Sequence, residues 1–119
     1  MTVEVEINGT TYVPKGSNQV AKKLDGKEYC IIRTYSAGVF AGYVAKRKGK
    51  EATILNSRRL WYWKGASSLS QLAVDGVKFP DECKFPCVVE RTELTEVIEV
   101  IPCTQKAKDS IESVPVWQQ

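Results

Sequence analysis

Residues 29–46, YCIIRTYSAGVFAGYVAK, decide the fold of this chain. β-Branched and aromatic residues are frequent from position 29 to position 35, and the same composition returns from Val39 to Lys46. Such residues favour strands, and the small-residue connection Ser36-Ala37-Gly38 between them is typical of a turn. We therefore predict two neighbouring strands, with a bulge or a close backbone approach at Gly42.

Strand patterns continue on both sides of this pair. Residues 3–13 alternate around Asn8-Gly9, which suits the positive φ angles of a type I′ turn, so an N-terminal hairpin is expected. Residues 53–63 form a longer strand with polar and aromatic groups on both faces. Residues 87–91 and 94–101 are expected to pair as a further hairpin. The apolar residues expected to point inward from its second strand are Leu94, Ile98 and Val100.

Two short helices are predicted from their capping residues. Ser68-x-x-Gln71 is a capping box in front of residues 69–74, and Gly76 occupies the left-handed position that ends such a helix. Thr104 is expected to cap a second, C-terminal helix. The residues on the inner side of that helix are Ala107, Ile111 and Val114.

The chain length and composition are those of one small folded domain. At 119 residues we expect a single α+β domain, mainly an antiparallel β-sheet with two short α-helices. Residues 1–14 would form the N-terminal hairpin and residues 27–119 the sheet core with both helices. No stretch approaches the roughly 18 apolar residues of a membrane span, and no export signal is visible, so a cytoplasmic protein without membrane contact is expected.

The chain contains no histidine, which removes Ser-His, Cys-His and His-metal chemistry. An enzyme would have to work with Lys, Tyr or carboxylates, and we expect no catalytic residue. The four cysteines favour reduced, buried thiols over zinc ligands, because a Cys-only site would have to recruit all of them. They are Cys30, Cys83, Cys87 and Cys103. No metal and no cofactor are expected.

Two segments carry candidate ligand-binding residues. In residues 33–40 an arginine precedes a small-residue turn, so a guanidinium and backbone N–H groups could bind an anion. The alternative is an ordinary turn with Arg33 solvated or paired to a glutamate. In residues 56–65 two arginines precede three aromatic residues, which supply phosphate contacts and stacking surfaces worth about 1–3 kcal/mol per base. The alternative places these rings in the core or in a subunit interface.

The candidate ligand-binding residues are assigned by chemistry. Those expected to contact phosphate are Arg33, Arg58 and Arg59. Those expected to pack on a base or ribose are Tyr35, Phe40, Trp61 and Trp63. Asn56 would read a base edge, while Ser36 and Gly38 would supply the anion-binding turn.

Four segments resemble a family of small phage and prophage proteins. They are RTYSAGVFAGY at 33–43, NSRRLWYWKGASSLSQLAVDG at 56–76, CKFPC at 83–87 and EVIPCTQKAKDSI at 99–111. The pattern is similar to that of the first-described Thoeris anti-defence proteins. The resemblance implies a sponge, which binds a cyclic ADP-ribose isomer or cyclic oligonucleotides in the host cytoplasm without cleaving them. It also implies a homo-oligomer, a dimer or higher.

Two other functions remain open on the sequence. A small β adaptor could bind protein or single-stranded nucleic acid through residues 58–63, although nucleic acid is the less expected partner at a net charge of +3. An enzyme that degrades the signal could use tyrosine or glutamate as acid and base.

Overall fold

The structure, a computed structural model, describes residues 19–118 in full and the backbone strands of residues 5–7 and 10–12. Its elements in chain order are β1 (Val5–Ile7), β2 (Thr10–Tyr12), β3 (Tyr29–Thr34), β4 (Val39–Lys48), β5 (Glu51–Arg59), α1 (Leu69–Asp75), a 3-10 turn (Pro80–Glu82), β6 (Val88–Leu94), β7 (Val97–Pro102) and α2 (Gln105–Ser113). A five-stranded antiparallel sheet with two helices confirms the predicted α+β class. The strands β1 and β2 pair as predicted, while the turn at Asn8-Gly9 lies outside the described residues.

The strands of the main sheet follow the order β6-β5-β4-β3-β7. The predicted hairpin between the sixth and seventh strands is therefore wrong, because β6 and β7 form opposite edges of the sheet. Only Thr95 and Glu96 separate them in the chain, which requires the sheet to curl until its edges approach each other. The backbone N–H of Val97 donates to the carbonyl of Lys50 at 2.9 Å, across the end of the curled sheet.

The inner face of this curled sheet encloses a small apolar cluster. It receives residues from all five strands, and both edges contribute to it: Cys30, Ile32, Phe40, Ala52, Ile54, Leu94 and Val97. The predicted inward face of the seventh strand is only partly correct. Leu94 and Val100 face this cluster as predicted, although Leu94 ends β6 instead of beginning the seventh strand. Ile98 is about half exposed, and Val97 is buried in its place.

The outer face of the sheet packs against the two helices and the 77–85 segment. Ile31 of β3 and Ala41 of β4 are fully buried there, as are Leu72 of α1 and Ile111 of α2.

The helix N-caps are those predicted. Ser68 accepts from the N–H of Gln71 at 3.1 Å, and Thr104 accepts from the N–H of Ala107 at 3.0 Å. The inner side of α2 is buried as predicted, at Ala107, Ile111 and Val114.

The predicted irregularity at Gly42 is confirmed. Opposite it, Asn56 and Ser57 stand between the paired positions Leu55 and Arg58, which makes a β-bulge with Asn56 at φ 49°. A Cβ on Gly42 would lie 2.5 Å from Ile54 Cγ2 and 3.0 Å from Ser57 Cα, so no side chain fits. The bulge bends β5, which ends at Arg59 rather than at residue 63.

Three of the four cysteines are buried free thiols, as predicted: Cys30, Cys83 and Cys103. Cys87 is exposed, which corrects the prediction for that residue. Within residues 19–118 and the two short strands, no group of three or more potential metal ligands is found. Across the same residues, no helix has the length and apolar character needed to cross a membrane.

Candidate ligand-binding surface

Two predicted anion-binding side chains of the turn after β3 are paired with carboxylates. Arg33 Nη1 lies 3.6 Å from Glu99 Oε1, and both side chains are about half exposed. Ser36 Oγ donates to Glu96 Oε1 at 2.6 Å. A phosphate at this turn would meet two carboxylates, and an exposed ion pair contributes only about 0–1 kcal/mol. The alternative of an ordinary turn with Arg33 paired to a glutamate is the one that the structure shows.

The rest of this turn is stabilised by backbone hydrogen bonds. The Gly38 carbonyl accepts from both the N–H and the Oγ1 of Thr34, and Gly38 has φ 99°, which favours glycine. The N–H of Tyr35 donates to the Glu96 carbonyl. The Tyr35 ring is 77% exposed, so it is available to solvent on the outside of the turn.

Arg58 is buried and holds the fold together. Its Nε donates to Pro86 O at 2.8 Å and its Nη1 to Ile111 O at 2.9 Å, while Nη2 donates to Phe85 O and Val114 O at 3.1 and 2.7 Å. Two of these carbonyls belong to the C-terminal end of α2, whose partial negative charge favours a cation. Burial lowers the pKa of Arg58. These bonds occupy four of the five N–H donors of Arg58, so its main contacts are within the fold and one donor remains for the phosphate contact that the sequence predicted.

Arg59 points away from Arg58 and from Arg33. It pairs with Phe40 across β4 and β5, and its guanidinium carbon lies 4.7 Å from the centroid of the Phe40 ring. Phe40 belongs to the inner cluster and is 3% exposed, so Arg59 covers an end of that cluster by a cation–π contact. Arg33 pairs in register with Val39, which packs on the outer cluster. Arg33 and Arg59 thus lie on opposite faces and cannot share one pocket.

Three of the remaining predicted site residues also lie in different environments. Trp63 is half-buried against the outer core and gives no open stacking surface. Asn56 is exposed at the bulge and lines a cavity beside Arg58. Trp61 alone among the predicted tryptophans is open to solvent, with 65% of its surface exposed.

Trp61 takes part in a surface that we call the aromatic ledge: Trp61, Tyr62, Lys84 and Trp117. The Trp61 and Trp117 ring centroids lie 5.8 Å apart, with their planes inclined by 31°. Lys84 Nζ lies 5.7 Å from the Trp117 centroid and 5.9 Å from the Tyr62 centroid. Three rings and one ammonium therefore converge on one surface.

Main-chain bonds hold the three segments of the ledge together. Tyr62 and Lys84 exchange two backbone hydrogen bonds, at 3.2 and 2.8 Å, and the Trp117 N–H donates to Phe85 O at 2.9 Å. Arg58 also binds Phe85 O, so the buried guanidinium supports the ledge from below. In the part of the chain that the structure describes, Lys84 makes no ion pair, and its charge is free to meet an anion.

Sequence reasoning found Trp61 but did not select Tyr62, Lys84 or Trp117. Tyr62 stood inside the aromatic run, and only its exposure distinguishes it from a core residue. Lys84 and Trp117 lie 23 and 56 positions beyond Trp61, so no local spacing connects them to it.

The ledge has the components that proteins use to bind planar anions. Tryptophan rings stack on nucleobases, with about 1–3 kcal/mol per base, and an ammonium can contact phosphate. Tilted, partly exposed rings cost free energy in a monomer unless something covers them.

The chain belongs to a family described as a domain of unknown function, DUF6948, which matches residues 27–111. The matched region includes the whole main sheet, α1 and most of α2, and it contains three members of the ledge but not Trp117. No curated protein matches the chain. No solved structure matches it either.

Proposed function

We propose that this protein is a non-catalytic binding protein that sequesters a cyclic nucleotide signal, with the aromatic ledge as its contact surface. The observation that carries the proposal is the contact between the exposed Trp61 ring and the partly buried Trp117 ring, beside the Lys84 ammonium. A cyclic ADP-ribose isomer or a cyclic oligonucleotide offers both a base to stack and phosphates to pair. The resemblance to the Thoeris anti-defence proteins supports the same class, acting as a viral sponge in the host cytoplasm.

One ledge is too small to act as a sponge by itself. A nanomolar sequestering protein needs about 12 kcal/mol of binding free energy. Two stacked rings at about 1–3 kcal/mol each leave most of that value to be supplied elsewhere. We propose that a second copy of the chain covers the ligand and adds its own rings and lysine. A homodimer, or a higher oligomer, follows from this requirement.

The test follows the melting temperature and the fate of the ligand together. Purified protein is mixed with cyclic ADP-ribose isomers and with cyclic di- and trinucleotides, and its melting temperature is measured. The mixture is then heated, and the released small molecule is identified by mass spectrometry. A sponge gives a raised melting temperature with one of these compounds and releases that compound unchanged. A cleaved product would mean an enzyme instead.

Matched variants assign the binding to the ledge. Trp61→Ala and Lys84→Gln should each weaken the ligand at least tenfold with little change in the melting temperature of the free protein. Tyr35→Ala and Lys46→Gln are the controls, since they remove an equally exposed ring and an exposed lysine outside the ledge. Equal losses in ledge and control variants would reject the assignment.

The adaptor alternative uses the same rings with another partner. Stacking rings beside a lysine also suit single-stranded nucleic acid, whose binding weakens with salt as counterions are released. If none of the cyclic compounds shifts the melting temperature while a labelled single-stranded oligonucleotide binds in a salt-dependent and Trp61-dependent way, the sponge proposal is wrong and the adaptor replaces it.

A further inference from the structure

A cavity of about 300 Å³ lies on the outer face of the sheet and shares no residue with the aromatic ledge. It is lined by Tyr29, Asn56, Arg58, Val88 and Glu112. Its lining residues come from three strands of the main sheet, β3, β5 and β6, and from the helix α2. Its volume is at the lower end of the range that holds small-molecule ligands in proteins.

The Tyr29 hydroxyl is the first sign that this cavity is built to bind. Tyr29 is 4% exposed, and its ring packs edge-on against Tyr43 with centroids 5.1 Å apart. Among the described residues its hydroxyl makes no hydrogen bond. Buried polar groups are nearly always paired, so an unpaired hydroxyl at a cavity indicates a partner that the protein itself does not supply. Burial also raises the pKa of Tyr29, which keeps the hydroxyl neutral.

Within the described residues, Arg58 and Glu112 each keep one unused hydrogen-bonding position at this cavity. Arg58 binds four carbonyls through four of its five N–H groups, which leaves one Nη1 hydrogen. Glu112 Oε1 accepts from Lys108 Nζ at 3.0 Å, and its second oxygen makes no hydrogen bond within the described residues. Both charges are already compensated, one by helix-end carbonyls and the other by a lysine. A charged ligand would therefore gain little binding free energy from these two side chains.

Asn56 adds an amide and a strained backbone. Its φ of 49° is uncommon for a residue with a side chain, and it sits on the bulge opposite Gly42. Bulges and left-handed non-glycine residues are frequent next to binding sites, where they aim a side chain. Asparagine is among the few residues with a side chain that adopt this backbone readily, so the bulge can hold an amide at the wall of the cavity.

We propose that this cavity binds a small neutral polar ring, of the size of a nucleobase or a sugar, that donates to Glu112 and accepts from Arg58 and Asn56. Val88 provides an apolar wall for one side of the ring, and the Tyr29 hydroxyl completes the polar contacts. This site is independent of the ledge and of the sponge proposal. A nucleobase and a pentose carry the same pattern of adjacent donors and acceptors, and the test below separates them.

The experiment titrates the full-length protein with guanosine, adenosine, cytidine, uridine and D-ribose by isothermal calorimetry. At least one nucleoside should bind; equal affinity for D-ribose would assign the contact to the sugar rather than to the base. Trp61→Ala should bind it as the wild type does, because it is outside the cavity. Failure of every probe overturns the cavity proposal and leaves the ledge proposal untouched.

Two variants that should fold make the assignment specific. Tyr29→Phe removes the unpaired hydroxyl, so we expect a higher melting temperature of the free protein together with at least tenfold weaker binding. Asn56→Gly removes the amide and relaxes the backbone, with the same loss of binding. The control is Asp25→Gly, which relaxes a residue at φ 50° outside the cavity. Unchanged affinity in both cavity variants, or a lower melting temperature for Tyr29→Phe, overturns the proposal.

Discussion

Arg58 and Arg59 are adjacent in sequence, yet they lie on opposite faces of β5 and do different work. Tandem arginines beside aromatic residues suit a nucleotide, so the sequence predicts phosphate contacts for both. The strand geometry decides between them, since successive side chains point to opposite faces. Arg58 enters the outer core and binds four carbonyls, while Arg59 covers Phe40 from solvent. The sequence identified an important pair of residues but could not tell which of the two is buried.

This difference predicts unequal effects on stability. Arg58→Gln removes a buried cation and leaves several carbonyls without donors, each costing about 1–3 kcal/mol. We expect the free energy of unfolding to fall by about 3 kcal/mol or more. Arg59→Gln removes one cation–π contact at an exposed site, worth about 0.5–1 kcal/mol. Urea denaturation measures both variants. Similar midpoints for the two would contradict the burial of Arg58.

The four cysteines give a second prediction at this scale. Burial raises the pKa of Cys30 to about 11 and that of Cys103 to about 12, and burial also raises the pKa of Cys83. A thiol reacts as the thiolate, so these three should be nearly inert in the folded protein. Exposed Cys87 should react with an aromatic disulfide reagent at pH 8, giving one fast thiol per chain. The variant Cys87→Ser should show none until denaturant is added.

At the scale of elements, the helices depend on their capping residues. Thr104 Oγ1 accepts from Ala107 N and donates to Val74 O, so one hydroxyl joins the start of α2 to the end of α1. Thr104→Ala should lower the free energy of unfolding by about 1–2 kcal/mol, in the range of a lost N-cap. Thr104→Ser keeps the hydroxyl and should retain most of the stability. Equal losses in the two variants would assign the effect to the lost methyl group and not to the cap.

The elements that could be predicted are those with a local signal. Strands β3 and β4, the bulge at Gly42 and both helices follow from residue types within a few positions of one another. The pairing of β6 could not be predicted, since the two-residue connection to β7 reads as a hairpin. The two strands lie at opposite edges of the sheet, and only the curl of the whole sheet lets a two-residue connection join them. The ledge was missed for the same reason, because Lys84 and Trp117 reach Trp61 through tertiary contacts.

At the scale of the whole molecule, the fold has two apolar cores divided by one sheet. The inner cluster closes the curled sheet on itself, and the outer cluster joins the sheet to α1, α2 and the segment from Val77 to Phe85. Cys30 belongs to the inner cluster and Cys103 to the outer one. A change in conditions that affects both thiols therefore tests both cores in one experiment.

Raising the pH is such a change. The last prediction concerns how the free energy of unfolding depends on pH. The ordinary pKa of a cysteine is 9.0, and burial raises that of Cys30 to about 11 and that of Cys103 to about 12. Well below pH 9 both states hold both protons, so there these thiols give no pH dependence. Between pH 9 and 11 Cys30 and Cys103 lose their protons in the unfolded chain but largely keep them in the folded chain. The free energy of unfolding should then fall by about 1.4 kcal/mol per pH unit for each thiol.

The measurement is urea denaturation at pH 8, 9, 10 and 11 under a reducing agent. The free energy of unfolding should fall only slightly between pH 8 and pH 9 and then steeply. Cys103→Ala lowers the stability at every pH by removing buried sulfur, but its slope above pH 9 should be clearly shallower. Cys87→Ala removes an exposed thiol and should keep the wild-type slope. A Cys103→Ala slope equal to that of the wild type would mean that the alkaline loss arises elsewhere, with the buried Tyr29 hydroxyl as the next group to replace.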